Sequence, residues 1–539
     1  MNNFDGNIYL YGPSGSGKST VGRILAEQLA LPYVDLDERI VASAQKTIPD
    51  IFATEGETGF RNRESKALDE VINHPPAVVA LGGGALLDEN NRTLTENSGP
   101  VICLMANLET LVERLQLDHN RRPLLEQTGS DNRPNTNTQK TEILRIRLTK
   151  LLEEREAHYA NFSHQLAMND LNPEEAAWKI QVDLGRFHIV GMGAGYDACV
   201  IQNGLQSMVD LLKERRLNGP VAVVSDNHVA SLYGTRLVEL LQSGGYFAQL
   251  VEIPAGEETK TMETVQYIWN NFLDYGLERT STVVALGGGV VGDLAGFAAA
   301  TFLRGIPWMV APTTLLSMVD ASLGGKTGAD LPQGKNLVGA FYPPRVVLAD
   351  PSVLRTLPDV ELRSGFAEAV KHGIIGDPQL FKLCANGWSA VLDNLDEIVR
   401  RGMAVKIRII QEDPFEQGAG RPPGRAALNL GHTLGHAIEF ASNFRLRHGE
   451  AVAIGMVAAT RYSERIKLAA PGLAAEIAET LNGLGLPTEI PLGLDRAQVI
   501  AAIGVDKKRK AGKVRLALPV CIGDVRTGFE LDHLEELLE

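Results

Sequence analysis

The sequence predicts an α/β protein in which two sheet domains with flanking helices precede a mainly α-helical domain. Short apolar segments, each leading into glycines and then an amphipathic segment, begin at Asn7 and again near Phe187. After about residue 352 the strand signal nearly disappears, and long Ala/Leu/Ile-rich segments follow. The predicted units are 1–171, a linker at 172–185, 186–348 and 349–539.

The composition excludes several classes of protein. The 539 residues are 44% hydrophobic and 22% charged, which excludes wholesale disorder. A net charge of −14 argues against a nucleic-acid partner, because phosphate backbones are bound by clustered Lys and Arg. The four cysteines form no CxxC pair, and we find neither a secretory signal nor an apolar run of membrane-spanning length. We expect a cytoplasmic protein that binds small anions and has no membrane partner.

The first predicted strand, residues 7–11, leads into GPSGSGKST and then into a predicted helix at 18–30. This matches G-x-x-x-x-G-K-[ST], in which backbone N–H groups surround phosphates, the lysine reaches the β/γ-phosphates and the hydroxyl binds Mg²⁺. A glycine-rich turn without a ligand is the alternative, but the position between a strand and a helix favours a nucleoside triphosphate site. The predicted ATP-binding residues here are Gly15, Ser16, Gly17, Lys18, Ser19 and Thr20, with Ser19 on Mg²⁺.

Five further positions in the first domain are candidates for binding the phosphate acceptor. Asp35 and Asp37 end the segment PYVDLD, where one carboxylate could hold Mg²⁺ or its water and the other a substrate hydroxyl. For Asp35 we expect the Mg²⁺ role, with a surface N-cap as the alternative. Arg61 in GETGFRNRE, Gly83 in a glycine triplet and Arg155 near the end of a predicted helix complete the set, although each alone is weak evidence.

Taken together, these motifs resemble shikimate kinase over residues 1 to about 171. The resemblance implies ATP-dependent phosphorylation of shikimate, whose planar carboxylate suits a pair of arginines. The implied shikimate-binding residues are Asp37, Arg61, Gly83 and Arg155. Arg122, in RRPLL, belongs by resemblance to the lid over ATP and neutralises charge with Lys18 during transfer. Kinases of the gluconate or adenylate type would not require this set. A polar insert around 126–141, in a predicted loop at 116–141, departs from the family.

A second strand–glycine–helix pattern lies at 285–302, ALGGGVVGDLAGFAAATF. It lacks the GxGxxG spacing of the standard dinucleotide motif. Backbone N–H groups at 289–292 could still hold a pyrophosphate at the helix N-terminus, and Asp293 could accept a hydrogen bond from a hydroxyl. The sequence therefore indicates a second anion site.

The helical third of the chain contains candidate metal ligands. His432 and His436 lie one helical turn apart in LNLGHTLGHAIE, His448 follows in RHGEA, and Glu368 lies in GFAEAVKHG. Two histidines and one carboxylate with an open position are typical of a catalytic zinc site. Any one of these residues is more often an ordinary polar residue, so the prediction depends on their convergence.

GGGVVGD, the run at 312–341, FAEAVKHG and LNLGHTLGHA together resemble 3-dehydroquinate synthase over about 187–525. The resemblance implies a Rossmann-like NAD-binding domain, a helical domain that binds zinc or cobalt, and a homodimer formed through this half. It also implies conversion of 3-deoxy-D-arabino-heptulosonate 7-phosphate to 3-dehydroquinate and phosphate. NAD oxidises a hydroxyl, phosphate leaves by elimination, and the same nicotinamide returns the hydride.

The resemblance assigns Glu368, His432 and His448 to the metal and gives His436 a catalytic role beside the substrate. The implied NAD contacts are Asp226, Glu257, Lys260, Gly289, Val290, Val291, Gly292, Asp293, Thr313, Thr314, Lys326 and Lys335. The implied substrate contacts are Arg304, Asp320, Lys326, Asn336, Lys371, Lys406, Arg425, Asn429 and one of Lys507 and Lys508. Asp320, Lys326, Arg425 and Asn429 are also expected to be catalytic. Glu416, in an unusually long loop at 412–425, is the expected counterpart of the family's loop glutamate.

We therefore predict two enzymes of one pathway in a single polypeptide. One alternative for the second half is a glycerol-dehydrogenase-like alcohol dehydrogenase, which would produce NADH and leaves Lys326, Lys335 and Asn336 unexplained. The other is a non-catalytic binding module in one half, which the intact Lys18 and Glu368 argue against. The two predicted reactions are not consecutive, so the fusion does not imply direct channelling.

Overall fold

A computed structural model describes residues 6–117, 137–417, 424–443, 445–509, 514–531 and 533–538. It divides into two compact units, 1–187 and 188–539. Arg122 lies outside the described residues, as does most of the predicted polar loop at 116–141. The part of this predicted loop from Asn137 onward belongs to the helix Asn137–Ala160, which begins further toward the N-terminus than the prediction.

The first unit is a five-stranded parallel sheet with helices on both faces, in the strand order β2-β3-β1-β4-β5. Every residue of β1 is buried, as expected for a parallel strand covered on both sides. Its elements are β1 (Ile8–Tyr11), α1 (Lys18–Gln28), β2 (Tyr33–Asp35), α2 (Leu36–Ala44), α3 (Ile48–Ile72), β3 (Val78–Ala80), α4 (Glu89–Ser98), β4 (Val101–Met105), α5 (Leu108–Leu117), α6 (Asn137–Ala160), β5 (His164–Ala167) and α7 (Pro173–Leu184).

The segment at 172–185 is a helix of the first unit, so our prediction of a linker there was wrong. Asn172 and Glu175 form a reciprocal capping box at the start of α7, and Gly185 ends the helix in the left-handed conformation at φ 61°. Its buried face, with Ile180, joins the core formed by Val21 and Leu25 of α1. The polar composition of 172–175 therefore marks a helix start.

The second sheet has seven strands in the order β6-β7-β14-β11-β10-β8-β9, and parallel pairing runs from β7 through β9. This sheet and its helices confirm the predicted second α/β domain. The elements are β6 (Arg186–Ile189), β7 (Tyr196–Val200), α8 (Met208–Glu214), β8 (Val221–Asp226), α9 (Asn227–Val229), α10 (Thr235–Ser243), β9 (Ala248–Ile253), α11 (Met262–Asp274), β10 (Thr282–Gly287), α12 (Gly289–Thr301), β11 (Trp308–Pro312), β12 (Lys326–Leu331), β13 (Gly334–Phe341) and β14 (Val346–Ala349). The antiparallel hairpin of β12 and β13 lies outside the large sheet.

The last part of the chain is mainly helical, as predicted, and it ends in an antiparallel hairpin that the sequence did not reveal. A turn at Asn394 separates two of its helices, Trp388–Asp393 and Leu395–Glu412. The elements are α13 (Asp359–Gly376), α14 (Pro378–Ala385), α15 (Trp388–Asp393), α16 (Leu395–Glu412), α17 (His432–Ala441), α18 (His448–Arg465), α19 (Leu473–Gly483), α20 (Arg496–Arg509), β15 (Val514–Cys521) and β16 (Asp524–Leu531). Within the described ranges, no helix has the length and apolarity needed to cross a membrane.

We expect Ile180→Ala to lower the free energy of unfolding of the first unit by about 2 to 5 kcal/mol, because it removes a fully buried side chain from between α7 and α1. The adjacent exposed substitution Lys179→Ala is the control, with an expected change of less than about 0.5 kcal/mol. Hydrogen exchange of peptides from residues 1–187 at increasing urea measures both. Equal effects of the two substitutions would show that α7 does not contribute to the core.

Candidate active sites

The glycine-rich loop of the first unit joins the end of β1 to the start of α1. Gly12, Gly15 and Gly17 have φ of 129°, 84° and 99°, a region that favours glycine. The Lys18 ammonium donates to the carbonyl oxygens of Gly12 and Pro13, both at 2.9 Å. The loop thus folds around its own lysine at a helix N-terminus, the arrangement in which backbone N–H groups receive phosphate.

Asp35 caps a helix with one carboxylate oxygen and faces the Ser19 hydroxyl with the other. Its Oδ1 accepts hydrogen bonds from the backbone N–H groups of Asp37 and Glu38, at 3.1 and 3.4 Å, and so caps α2. Its Oδ2 accepts from the Ser19 hydroxyl at 2.9 Å and from the Tyr33 hydroxyl at 3.1 Å. The carboxylate therefore lies beside the Ser19 hydroxyl, and a serine hydroxyl next to a carboxylate is a donor set that suits Mg²⁺.

The glycine triplet at 82–84 leaves room for the side chains of Arg61 and Glu64. A Cβ at Gly84 would lie 2.7 Å from Nη2 of Arg61, and a Cβ at Gly82 would lie 2.9 Å from Oε1 of Glu64 and 3.4 Å from Oδ1 of Asp37. The Gly83 carbonyl oxygen accepts from Nη1 of Arg155 at 2.8 Å. The structure thus brings Asp37, Arg61, Gly83 and Arg155 to one place.

Three residues that the sequence did not single out support this cluster. Glu64 is buried and its Oε2 accepts from Nη1 of Arg61 at 2.6 Å, while burial raises the pKa of the Glu64 carboxyl despite the opposing charge of Arg61. The hydroxyls of Tyr159 and Tyr11 lie 2.8 and 3.4 Å from the Gly83 carbonyl oxygen. The spacing of Arg61 and Glu64, three residues apart on one helix, was the signal available for Glu64.

In the second unit, Glu368 of α13 meets His432 of α17 and His448 of α18. Oε1 of Glu368 lies 3.7 Å from Nε2 of His432 and 3.5 Å from Nε2 of His448, and Glu368 is fully buried. His436 borders the same place, with its ring centroid 5.2 Å from that of His432. The helix α13 and the consecutive helices α17 and α18 therefore bring the predicted metal ligands together.

The second ring nitrogen of each histidine ligand has its own partner. Nδ1 of His432 lies 3.1 Å from the carbonyl oxygen of Leu430, and Nδ1 of His448 lies 3.4 Å from Oε2 of Glu439. These acceptors favour the proton on Nδ1, which leaves Nε2 free for a metal. Burial, with Lys371, lowers the pKa of His432 to about 3, whereas Glu368 and Glu439 outweigh burial and raise the pKa of His448 to about 10. No motif in the sequence singled out Glu439.

The donor set fits a divalent ion. Oε1 of Glu368 faces Nε2 of both histidines, and the ammonium of Lys371 lies against Oε2. A buried carboxylate beside two properly oriented imidazoles is the chemistry of a zinc-type site with an open position.

The predicted NAD residues lie mainly where β8, β10 and β11 end, the edge at which parallel sheets bind ligands. The helix α12 begins at Gly289 and is capped by Gly288. A Cβ at Gly288 would lie 3.2 Å from Cγ2 of Thr314, so the backbone passes close to that side chain. Asp226, at the end of β8, caps α9. Thr313, at the end of β11, follows in the same region.

One buried lysine connects several of these residues. Nζ of Lys260 lies 2.5 Å from Oδ2 of Asp293 and donates to Oδ1 of Asn336, also at 2.5 Å. Burial raises the pKa of Asp293, although Lys260 opposes the shift. Lys335 forms an ion pair with Glu257 at 3.0 Å. Asn336, predicted for the substrate, is thus held by a residue predicted for NAD.

The other predicted substrate residues form two groups. In one, Nζ of Lys406 lies 2.5 Å from Oδ1 of Asp320, near the pair Lys371–Glu368. In the other, Glu416 contacts Nζ of Lys326 at 2.5 Å and Nε of Arg425 at 3.1 Å. Glu416, the expected counterpart of the family's loop glutamate, thus contacts two residues that are predicted to bind the substrate.

Two predicted substrate residues, Arg304 and Asn429, are not joined to these groups by a contact in the described part of the chain. Arg304 is exposed, with φ 69°, and Asn429 is exposed at the end of a 3₁₀ helix, Arg425–Asn429. The side chains of Lys507 and Lys508 lie outside the described residues, although α20 includes both positions.

Comparison with known proteins agrees with the two sites. The family model for shikimate kinase matches residues 14–184, and those for the N-terminal and C-terminal parts of 3-dehydroquinate synthase match 250–364 and 365–509. A 3-dehydroquinate synthase from Nostoc sp. (strain PCC 7120) is 42% identical over 355 residues, which are 64% of this chain and 96% of that protein.

Two solved structures are also similar to parts of this chain. A 2-deoxy-scyllo-inosose synthase complexed with carbaglucose-6-phosphate, NAD⁺ and Co²⁺ is 27% identical, with a TM-score of 0.59 over 65% of this chain and 98% of the other. A shikimate kinase from Acinetobacter baumannii in complex with shikimate is 36% identical over 33% of this chain and 93% of the other, with a TM-score of 0.29. The chain belongs to the 3-dehydroquinate synthase family, and it carries a shikimate kinase at its N-terminus.

Proposed function

We propose that residues 188–539 convert 3-deoxy-D-arabino-heptulosonate 7-phosphate to 3-dehydroquinate and phosphate, and that residues 1–187 phosphorylate shikimate with ATP. The observation that carries the first activity is the meeting of Glu368, His432 and His448, each histidine oriented by a partner on its other nitrogen. The 3-dehydroquinate synthase models over 250–509 argue against a glycerol-dehydrogenase-like enzyme or a binding module.

In the synthase half, Glu368, His432 and His448 would hold a divalent ion, and the Gly289–Asp293 turn with Lys260 would hold NAD. Bound there, the ion supplies polarisation of a substrate oxygen and NAD supplies a reversible hydride acceptor. The cations Lys326, Lys371, Lys406 and Arg425 bind the substrate's carboxylate and phosphate. In the described structure each of these cations pairs with a carboxylate of the protein. Substrate binding therefore exchanges that carboxylate for an anionic group of the substrate.

Proton transfer in this half is assigned to His436, which borders the metal ligands. Once the substrate hydroxyl is a ketone, the neighbouring C–H becomes acidic. His436 accepts that proton, and the electron pair of the broken C–H bond expels phosphate. Asp320, paired with Lys406, supplies a negative charge beside a cation that is proposed to bind the substrate.

In the kinase half, the loop around Lys18 would bind the phosphates of ATP, and Ser19 with Asp35 would hold Mg²⁺ directly or through water. Asp37 accepts a hydrogen bond from the shikimate hydroxyl, and Arg61 with Arg155 binds the shikimate carboxylate. Arg155 is held by the Gly83 carbonyl oxygen and must change partner to do so.

The proposed setting is the cytoplasm, with a homodimer formed through the synthase half and neither a nucleic acid nor a membrane as partner. The state of the cysteines supports a reducing compartment, because all four are free thiols, three of them buried. The acidic net charge supports the absence of a nucleic-acid partner.

We expect Glu368→Gln to abolish phosphate release from the heptulosonate phosphate and to reduce the bound metal to less than about a tenth of an equivalent, because the site loses its only anionic ligand in the predicted set. Glu397→Gln, which removes a partly buried ion pair with Arg401, should change neither quantity. Metal analysis and a phosphate-release assay measure both. Full metal content and activity in Glu368→Gln would refute the site.

Phosphate release should require NAD in catalytic amount only. With NAD at a tenth of the substrate concentration, we expect complete conversion and no net rise in absorbance of NADH, because the hydride is returned in each turnover. Conversion that stops when NAD is exhausted would favour the dehydrogenase alternative.

Arg61→Lys should raise the KM for shikimate about ten- to a hundredfold, because an ammonium cannot reproduce the two-pronged contact of a guanidinium with a carboxylate. The KM for ATP should not change. Arg63→Lys on the same helix, whose native arginine pairs with Glu55, is the matched control and should leave both constants unchanged. A uniform effect of both substitutions would contradict the assignment.

A further inference from the structure

His372 is a buried histidine that none of the assignments above uses. It lies on α13, next to Lys371 and one turn after Glu368. The side chain is fully buried, and neither ring nitrogen has a hydrogen-bond partner among the described residues. A buried polar group without a partner costs free energy, so such a group in a well-packed core points to a partner acquired at another stage.

The nearest acceptor to His372 is Asp320. Nε2 of His372 lies 3.8 Å from Oδ1 of Asp320, which is just beyond hydrogen-bond distance. The same Oδ1 accepts from Nζ of Lys406 at 2.5 Å. Asp320 lies in a π-helical turn, Ser317–Ala321, and a quarter of its side chain is exposed. His372 thus lies in the interior behind a carboxylate that faces outward, and a shift of roughly 1 Å would connect the two.

The charges around His372 favour a neutral ring. Burial, with the adjacent Lys371, lowers the pKa of His372 to about 4, against the opposing effects of Asp320 and Glu368. A neutral imidazole donates from one nitrogen, and among the described residues Nδ1 has no hydrogen-bond partner that competes with Asp320. A cation held by Asp320, Glu368 and His372 is the alternative. It is disfavoured because Glu368 is already assigned to the ion held with His432 and His448, and the ammonium of Lys406 occupies Oδ1 of Asp320 at 2.5 Å.

We propose that His372 is a positioning residue for Asp320: its Nε2–H binds Oδ1 of Asp320 when the ammonium of Lys406 turns to the substrate. The inference rests on the proposed function, in which Lys406 binds an anionic group of the heptulosonate phosphate. Without the histidine, Asp320 would lose its donor at the moment of substrate binding and would be free to rotate or to take up a proton. With it, the carboxylate stays charged and oriented during the reaction.

The test compares His372→Leu, which keeps the volume and removes the donor, with His372→Gln, whose amide nitrogen reaches the position of Nε2. We expect Leu to lower kcat for phosphate release about ten- to a hundredfold, the usual effect of losing a partner of a site residue, with KM and bound metal changed less than about twofold. Gln should recover most of kcat. The exposed His533→Leu is the matched control and should behave as wild type.

Several results would overturn the inference. These are a wild-type kcat in His372→Leu, equal losses in the Leu and Gln variants, and a parallel loss of metal in His372→Leu, which would indicate a ligand. If thermal unfolding shows that the Leu variant does not fold, Gln is compared with His372→Asn, whose amide reaches the position of Nδ1 instead. The inference then requires Gln to be the more active of the two, and equality refutes it. Inactive wild-type protein would refute the proposed function, whereas an active wild type with an unaffected variant refutes only the role of His372.

Discussion

The synthase half depends on the complete burial of one carboxylate, that of Glu368. A charge of this kind is very costly to remove from water unless other charges or a metal compensate it. Lys371, on the same helix, supplies one compensating charge, and the imidazoles of His432 and His448 supply ligands for another. Three helices must therefore pack so that these side chains meet, and the helical domain is arranged around that requirement.

The same principle extends to the rest of both sites. Basic groups that would bind anionic substrates are already paired with acids: Arg61 with Glu64, Lys406 with Asp320, and Lys326 with Glu416. Such pairs hold the cations in place before a substrate arrives, and binding then exchanges one carboxylate for another. The exchange preserves charge balance in a buried site, where an unpaired cation would be costly. The exchange also explains why Glu64 and Glu416, which are acidic, lie among the basic residues that are proposed to bind anionic substrates.

The two proposed phosphate sites share one arrangement of strand, turn and helix. A parallel strand ends in glycines, and the next helix begins with its N–H groups directed toward the end of the sheet. In the first unit Gly12, Gly15 and Gly17 take left-handed conformations, whereas in the second Gly288 allows close packing against Thr314. The two turns share an electrostatic principle but not a backbone conformation, which is why a single glycine pattern does not describe both.

Much of the molecule was predictable because local features determine it. Short sequence motifs predict the strand–glycine–helix units and the long helices after residue 352. The family resemblance predicts the metal-ligand set Glu368, His432 and His448. The prediction of a linker at 172–185 was wrong because polar residues at a helix start resemble those of a connecting segment. The polar start of this segment is a capping box, and only the packing of Ile180 against α1 distinguishes a helix start from a flexible connection.

The sequence by itself determined which residue types are present and where helices and glycine turns begin, because hydrogen bonding and hydrophobic periodicity act between near neighbours. Only the tertiary structure decided which side chains meet across long separations: Glu439 behind His448, Tyr11 and Tyr159 at the Gly83 carbonyl, and His372 behind Asp320. These contacts depend on how helices and strands pack. A single polar residue inside an apolar segment carries no local signal of the partner that the fold will bring to it.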